Sequence, residues 1–386
     1  MMNNRVSKCR SLAVVVVTMV LIGLSVQVQS VLAQTRVGAS AASSLIWTDS
    51  PRAVAMGRCS INLVDGQSAM HNPGTVALEH FDKFVAFSLP RRNAFLNLPI
   101  AMMTHLESSN FSVGISSEAL HLDTGRRLSF AAALSYASID YSFGPFYVTT
   151  YENSPFPGGI MDIHQYIDSY TASIAAQYLV RVGVGYSYKK VKYNSFFADL
   201  PFGFSSQSYV HDIGAIIEIP VMDIINELTD GSAYEQSAGR LELTPSVTYF
   251  ETRHSRIGTR GLGFHGALRE SDVTMGSITV VWERDSRQRY IDGESERIGA
   301  EAGLFDILFV RLGQYRMNSP SSANTYGFGF SLHGMLAWMM HLNWITPDNP
   351  TLERFLRSID VTADFATSDG FDTYDNPQFF KIGFSF

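Results

Sequence analysis

The stretch Gln378-Phe-Phe-Lys-Ile-Gly-Phe-Ser-Phe386 decides the fold. Phe380, Ile382, Phe384 and Phe386 fall on one face of an extended strand, and Phe379, Lys381, Gly383 and Ser385 on the other. This is period-2 alternation, apolar against mostly polar or small. Chain ends usually fray into water unless they are tied down. A transmembrane β-barrel ties its last strand to its first, which removes both sheet edges. An ordinary closing strand of a soluble sandwich would show the same alternation, so the rest of the chain has to separate the two.

Composition leans towards the membrane. The chain has 386 residues, with 46% hydrophobic, 12% aromatic and only 17% charged. Soluble domains average about 25% charged residues. The deficit of charge and excess of aromatics fit a surface partly in lipid. The formal charge of −7 argues against nucleic-acid binding, which needs a basic face.

Residues 1–33 read as a secretory signal. Arg5, Lys8 and Arg10 precede an apolar run from Leu12 to about Val26, and Val31-Leu32-Ala33 offers small residues for cleavage. The predicted signal holds three basic residues and no acids, so its removal takes the charge from −7 to −10. Cys9 leaves with it, and Cys59 is then alone and reads as a small buried residue. After residue 33 no apolar run is long enough for a spanning helix, so any crossing must be made by a closed barrel.

Residues 34–81 mix turns, small residues and short apolar pieces without one period. They are expected to form a plug- or hatch-like segment, with residues 82–386 as the barrel. Strand candidates are 84–89, 97–105, 111–117, 129–141, 146–151, 169–180, 182–189, 208–219, 241–252, 273–283, 297–304, 308–316, 326–344, 358–367 and the closing stretch. The expectation is an all-β antiparallel transmembrane barrel of about 14 strands. Val221, Ile224, Ile225 and Leu228 recur at helical spacing, and Asn349-Pro350 opens a second helical pattern with Leu352, Phe355 and Leu356. The charged stretch 283–297 reads as a solvated loop or a strand extension beyond the membrane.

Enzyme chemistry is absent from the pattern, and no cofactor or metal is expected. His211 and Asp212 are adjacent, but neighbours on a strand point to opposite faces. The remaining histidines lack ligand spacing, and Gly261-Leu-Gly263 lacks the rest of a nucleotide loop. One ion pair is expected in the lumen. If Ile298, Ala300, Ala302 and Leu304 face lipid, Glu301 faces inward, and the same logic turns Arg311 inward beside it.

Two stretches resemble a known family. Ala53-Val-Ala-Met-Gly57, Val64-Asp-Gly-Gln-Ser-Ala69 and Asn72-Pro-Gly-Thr-Val-Ala77 look like the opening signature of the PorV/PorQ-like outer-membrane proteins, relatives of the FadL-type barrels. Met56, Gly57, Asp65, Ala69, Asn72, Pro73 and Ala77 match; Gly74 stands in for the usual Ala, Thr75 and Val76 depart from Gly-Leu, and Arg58 replaces a second Gly. Gly299-Ala-Glu301 with Arg311-Leu-Gly313 and Tyr315 is similar to a hairpin of the same family. The resemblance implies an outer-membrane location in a Gram-negative-type bacterium and both termini on the periplasmic side. It implies a role in type IX-like protein secretion, with exported proteins or a translocon as partners. The alternatives are a FadL-like channel for a hydrophobic small molecule and a purely structural barrel. Outer-membrane lipid is a partner in all three. A protein-binding mouth, if there is one, would draw on the stretches 152–168, 221–236 and 284–296.

Overall fold

The computed structural model describes residues 50–64, 70–81, 83–94, 103–117, 128–148, 159–197, 203–228, 240–252, 257–270, 273–287, 295–316, 322–347, 349, 352, 353, 356, 359–369 and 378–385. The predicted signal, Asp65, Phe355 and Phe386 lie outside them.

Alternation along the chain builds fourteen antiparallel strands among the described residues, each paired with its neighbour in sequence, and β1 closes on β14. They are β1 (Val85–Ala94), β2 (Met103–Ser116), β3 (Ser129–Val148), β4 (Gly159–Gln177), β5 (Arg181–Phe197), β6 (Gly203–Glu218) and β7 (Arg240–Thr252). β8 (Ile257–Glu270), β9 (Val273–Arg287), β10 (Glu296–Leu304), β11 (Leu308–Arg316), β12 (Ser322–Ser331), β13 (Asp360–Ser368) and β14 (Gln378–Ser385) complete the wall. The closing seam matches Ala86 to Ser385, Phe87 to Phe384 and Ser88 to Gly383. The Phe87 and Phe384 rings stack at 5.2 Å.

The outward faces are apolar and exposed. Leu134, Ile174, Val184, Leu262, Ile278, Leu304, Leu308, Val310 and Phe328 all project from the wall. Inward faces carry Ser, Thr, Gly and charge. Exposed Tyr170 on β4 and Tyr178, the residue just after β4, bracket the outward apolar run. Eight residues of tilted strand separate them, roughly 20 Å along the barrel axis, against an apolar band about 25 Å tall in outer-membrane barrels. A closed, polar-lined barrel with such a band belongs to an outer membrane. No helix among the described residues is long and apolar enough to cross a membrane.

The wall differs from the sequence reading in four places. The candidates 97–105 and 111–117 share one strand where they are described, β2, because polar Glu107 to Asn110 continue it rather than break it. The candidates 129–141 and 146–151 likewise share β3 where they are described, and it passes Gly144-Pro145 by a register shift between Phe143 and Phe146. β8 was not anticipated, since Gly258, Gly261, Gly263 and Gly266 dilute its alternation. Residues 326–344 are not one strand: β12 ends at Ser331 and a helix follows.

Short helices accompany the wall among the described residues. α1 (Pro51–Ala55) and α2 (Val76–Glu79) belong to the N-terminal segment, with a single 3-10 turn at Pro73–Thr75 just before α2. α3 (Val221–Leu228) and α4 (Leu332–His341) both lie at the end of the barrel where β1 begins and β14 ends, called the near end below. In the second helical pattern, Leu352, Glu353 and Leu356 are helical.

The described part of residues 50–81 lies inside the wall and follows it round. Ala55 meets Gly327 of β12, and Met56 and Gly57 meet Gly299 of β10 and Gly313 of β11. Cys59 lies by the Val281 carbonyl of β9, and Asn62 against Gly261 of β8. Asn72 and Pro73 rest on Gly214 of β6 and Gly185 of β5, and His80 on Gly114 of β2. The chain thus circles the lumen before entering β1. A side chain at any of these wall positions would occupy the space taken by the segment. The prediction is that Gly313→Val lowers the midpoint of thermal unfolding of the purified barrel, by the ~1–3 kcal/mol typical of overpacking. Gly276→Val should leave it unchanged, since nothing but the Gly303 carbonyl approaches there, at 3.7 Å. Circular dichroism melts of the two variants check this, and equal midpoints would count against the close approach.

Candidate functional site

The site is the contact between the N-terminal segment and the lumen face. Ser50 caps α1 by accepting from the Ala53 amide, and Pro51 fixes its first turn. The helix ends where Gly57 and Arg58 take positive φ, 69° and 65°. Arg58 therefore occupies a left-handed position that favours glycine. Its carbonyl accepts from Arg297 at 3.3 Å, and its guanidinium sits 5.3 Å over the Tyr315 ring. The Gly57 amide donates to Thr325 Oγ1 at 2.8 Å, which in turn donates to the Ala55 carbonyl at 2.9 Å.

Asn72 organises the second half of the segment. Its Oδ1 accepts from the Gly74 amide at 2.9 Å and its Nδ2 donates to the Ile61 carbonyl at 2.7 Å. Pro73 continues the turn in fixed geometry, as an Asn-Pro pair should. Further on, the Ala77 amide donates to Ser173 Oγ, and the His80 ring bonds Ser112 Oγ at 3.0 Å.

Three buried ionic groups join segment to wall. In the first, Arg311 Nε donates to Glu301 Oε2 at 2.5 Å and Arg311 Nη1 to Asp364 Oδ1 at 2.5 Å. Arg52 of α1 completes the group by forking onto the Glu301 carboxylate at 2.7 and 3.0 Å. In the second, Arg297 holds Asp285 and lies 3.5 Å from Glu283, whose Oε1 accepts from the Ile61 amide at 2.8 Å. In the third, Lys189 bridges Asp212 at 2.5 Å and the Met70 carbonyl at 2.6 Å. Each carboxylate keeps a cation within reach, which offsets the cost of taking it out of water.

Beyond the Lys189–Asp212 pair, towards the far end, the lumen holds an apolar cluster beside the buried polar side chains of Ser108, Gln165 and Ser195. Ile139 and Tyr141 of β3, Ile167 of β4, Val191 of β5, Val210 of β6 and Phe379 of β14 form one buried cluster. Val54, Ala55 and Met70 reach it from the segment.

The anticipated residues are distributed as follows. Glu301 and Arg311 lie opposite each other on β10 and β11. Met56, Gly57, Asn72, Pro73 and Gly74 are buried against the wall. Phe380 lies opposite Phe365 of β13, and Ile382 opposite Ala363. At both ends of the stretch 283–297 the strand-extension reading holds, with β9 running to Arg287 and β10 starting at Glu296, but Glu283, Asp285 and Arg297 are buried in the lumen rather than solvated; residues 288–294 lie outside the described residues. The sequence reading also missed Arg52 and Asp364. Strand parity places Asp364 inward once β13 is assigned, whereas Arg52 has no such signal. His211 and Asp212 do face opposite ways, His211 outward to the Tyr186 hydroxyl and Asp212 inward to Lys189. Among the described residues no group of His, Cys, Asp and Glu is arranged to hold a metal ion.

No protein-family model matches the chain, and no curated protein matches it. Solved structures do match. The Ralstonia pickettii toluene transporter TbuX has 11% identity over 88% of this chain and 98% of its own, with a TM-score of 0.47. A Pseudomonas aeruginosa FadL homologue has 9% identity over 88% and 97%, with a TM-score of 0.39. The translocator domain of the Neisseria meningitidis autotransporter NalP has 12% identity over 79% and 87%, with a TM-score of 0.32. All three scores are low, and the fourteen-strand closure stands on the chain's own pairing. The PorV/PorQ-like resemblance gains no support from these matches.

Two predictions attach to the site. Glu301→Ala removes the carboxylate that Arg52 and Arg311 share, and should cost about 3–5 kcal/mol of stability. A denaturant titration that matches the unsubstituted protein would show that the group does not hold the barrel. Cys59 is fully buried, and burial, with Glu283 nearby, pushes its thiol pKa up. It should therefore resist a charged maleimide in the folded barrel and react on unfolding. Mass spectrometry of the modified protein reads both states.

Proposed function

We propose that this chain is an outer-membrane channel for a small hydrophobic molecule, with its N-terminal segment closing the lumen. The apolar cluster on the far side of that segment carries the reading. A polar solute passing Ile139, Ile167, Val191 and Phe379 would lose hydration without replacement. An apolar solute gains there, at about 25 cal/mol per Å² of surface removed from water. The ionic groups at Glu301, Glu283 and Asp212 then fix the segment across the path.

A protein-binding mouth would draw on the stretches 152–168, 221–236 and 284–296. They divide between the two ends of the barrel. β3 passes to β4 and β9 to β10 at the far end. α3 follows β6 at the near end, and residues 159–168 are part of the β4 wall. The apolar lining therefore favours the channel.

The test is uptake into proteoliposomes. Toluene, the cargo of TbuX, is the apolar probe and arabinose the polar one. Toluene should enter faster than arabinose relative to empty vesicles. Ile167→Asn with Val191→Asn should slow toluene about tenfold, the equivalent of roughly 1.4 kcal/mol on the barrier. Equal entry of both solutes would describe a general pore, and entry of neither a structural barrel; either result overturns the proposal.

A further inference from the structure

α4 is apolar all round, yet it is not buried. Its sequence is Leu-His-Gly-Met-Leu-Ala-Trp-Met-Met-His, and among its residues only Gly334 is buried. A helix apolar on every side is normally enclosed by protein or by lipid. Protein covers only part of this one. Gly334 backs onto the Asp306 carbonyl, and Trp338 packs edge-on against Phe305 at 4.6 Å. Phe305 and Asp306 form the tight β10–β11 turn, both with positive φ, 59° and 53°. Trp338 thus braces a turn whose first position is costly for a Phe.

The helix ends in a left-handed C-terminal cap. Asn343 takes positive φ, 57°, and reverses the chain. The Trp344 amide then donates to the Met339 carbonyl at 2.8 Å. This C-terminal turn holds Leu342 and Trp344 outward, at 46% and 73% exposure. A Trp held mostly exposed by its own backbone turn suits a medium that is apolar on one side and wet on the other.

What surrounds the helix identifies that medium. α4 leaves β12 one residue after Phe330, whose side chain is part of the outward apolar face. Leu304 and Leu308, flanking the turn that α4 packs on, are exposed at 51% and 53%. The apolar surface of the helix is therefore continuous with the lipid-facing band at its near-end margin. We infer that α4 and its C-terminal turn are an interfacial lipid-binding element, lying along the boundary of the leaflet at the near end with Trp344 at headgroup depth. An amphiphilic lipid surface satisfies both halves of the observation: acyl chains meet Leu336, Met339 and Met340, and headgroups meet His341 and the Trp344 indole.

The experiment uses the full-length barrel reconstituted in phosphatidylcholine vesicles, with and without bromine on the upper acyl carbons. Trp344→Phe isolates the Trp344 emission by difference, and Trp338→Phe is a second variant on the same helix. Trp344 should lose at least about half its emission in the brominated bilayer and be little affected by aqueous acrylamide. Quenching by acrylamide alone, with no response to brominated lipid, would place the turn in water and overturn the inference. If Trp344→Phe lowers the yield of folded barrel, the Trp338→Phe difference reads the same helix under the same two quenchers. Quenching there by acrylamide alone overturns the inference equally.

Discussion

Everything in this barrel depends on the seam between β1 and β14, where the described residues pair Ala86 with Ser385, Phe87 with Phe384 and Ser88 with Gly383. In hydrocarbon an unpaired backbone amide or carbonyl costs several kcal/mol, so a sheet can span only if it has no edge. Other strand pairs have far longer ladders, the β4–β5 pair running from Met161–Phe197 to Gln177–Arg181. Ring stacking of Phe87 on Phe384 adds packing on the lipid side, and Ser88 bonds to Asn110 of β2 on the lumen side.

Closure creates the second constraint, a lumen that must be filled. Fourteen strands enclose more space than their own side chains occupy. The N-terminal segment fills it, and the small residues of the wall decide where. Gly185, Gly214, Gly299 and Gly313 let segment backbone lie directly on strand backbone. The segment's free amides then find wall acceptors, Gly57 on Thr325, Ile61 on Glu283 and Ala77 on Ser173. A buried chain without regular structure is tolerated only when its polar groups are matched in this way.

The two stretches that resemble a family signature, far apart in sequence, touch each other here. Met56 and Gly57 lie on Gly299 and Gly313, Arg52 pairs with Glu301, and Arg58 covers Tyr315. This gives the motif residues a shared physical role, fixing one end of the segment to the β10–β11 hairpin. Charge, rather than apolar packing, sets the register of that contact. A shift of one residue along β10 would turn Glu301 towards lipid and leave Arg311 buried without it.

Period-2 alternation, taken with the low charge and the lack of a spanning apolar run, pointed to a barrel, because the strand repeat follows from backbone geometry and needs no distant contact. It also placed Glu301 and Arg311 on the inward face. It failed where the local pattern is not the deciding force. β8 is rich in glycine because Asn62 needs the space at Gly261, which only the folded lumen reveals. β12 gives way to α4 because Ser331 caps the helix and Gly334 fits under Asp306, whereas an all-apolar run has no period to read. Glu283, Asp285 and Arg297 read as solvated because their mutual pairing spans two strands. Local geometry is written residue by residue, so the sequence determined the strands and their inward faces. The partners of those faces come from residues more than two hundred positions away, as with Arg52 and Glu301, so only closure of the barrel around the segment decided the site.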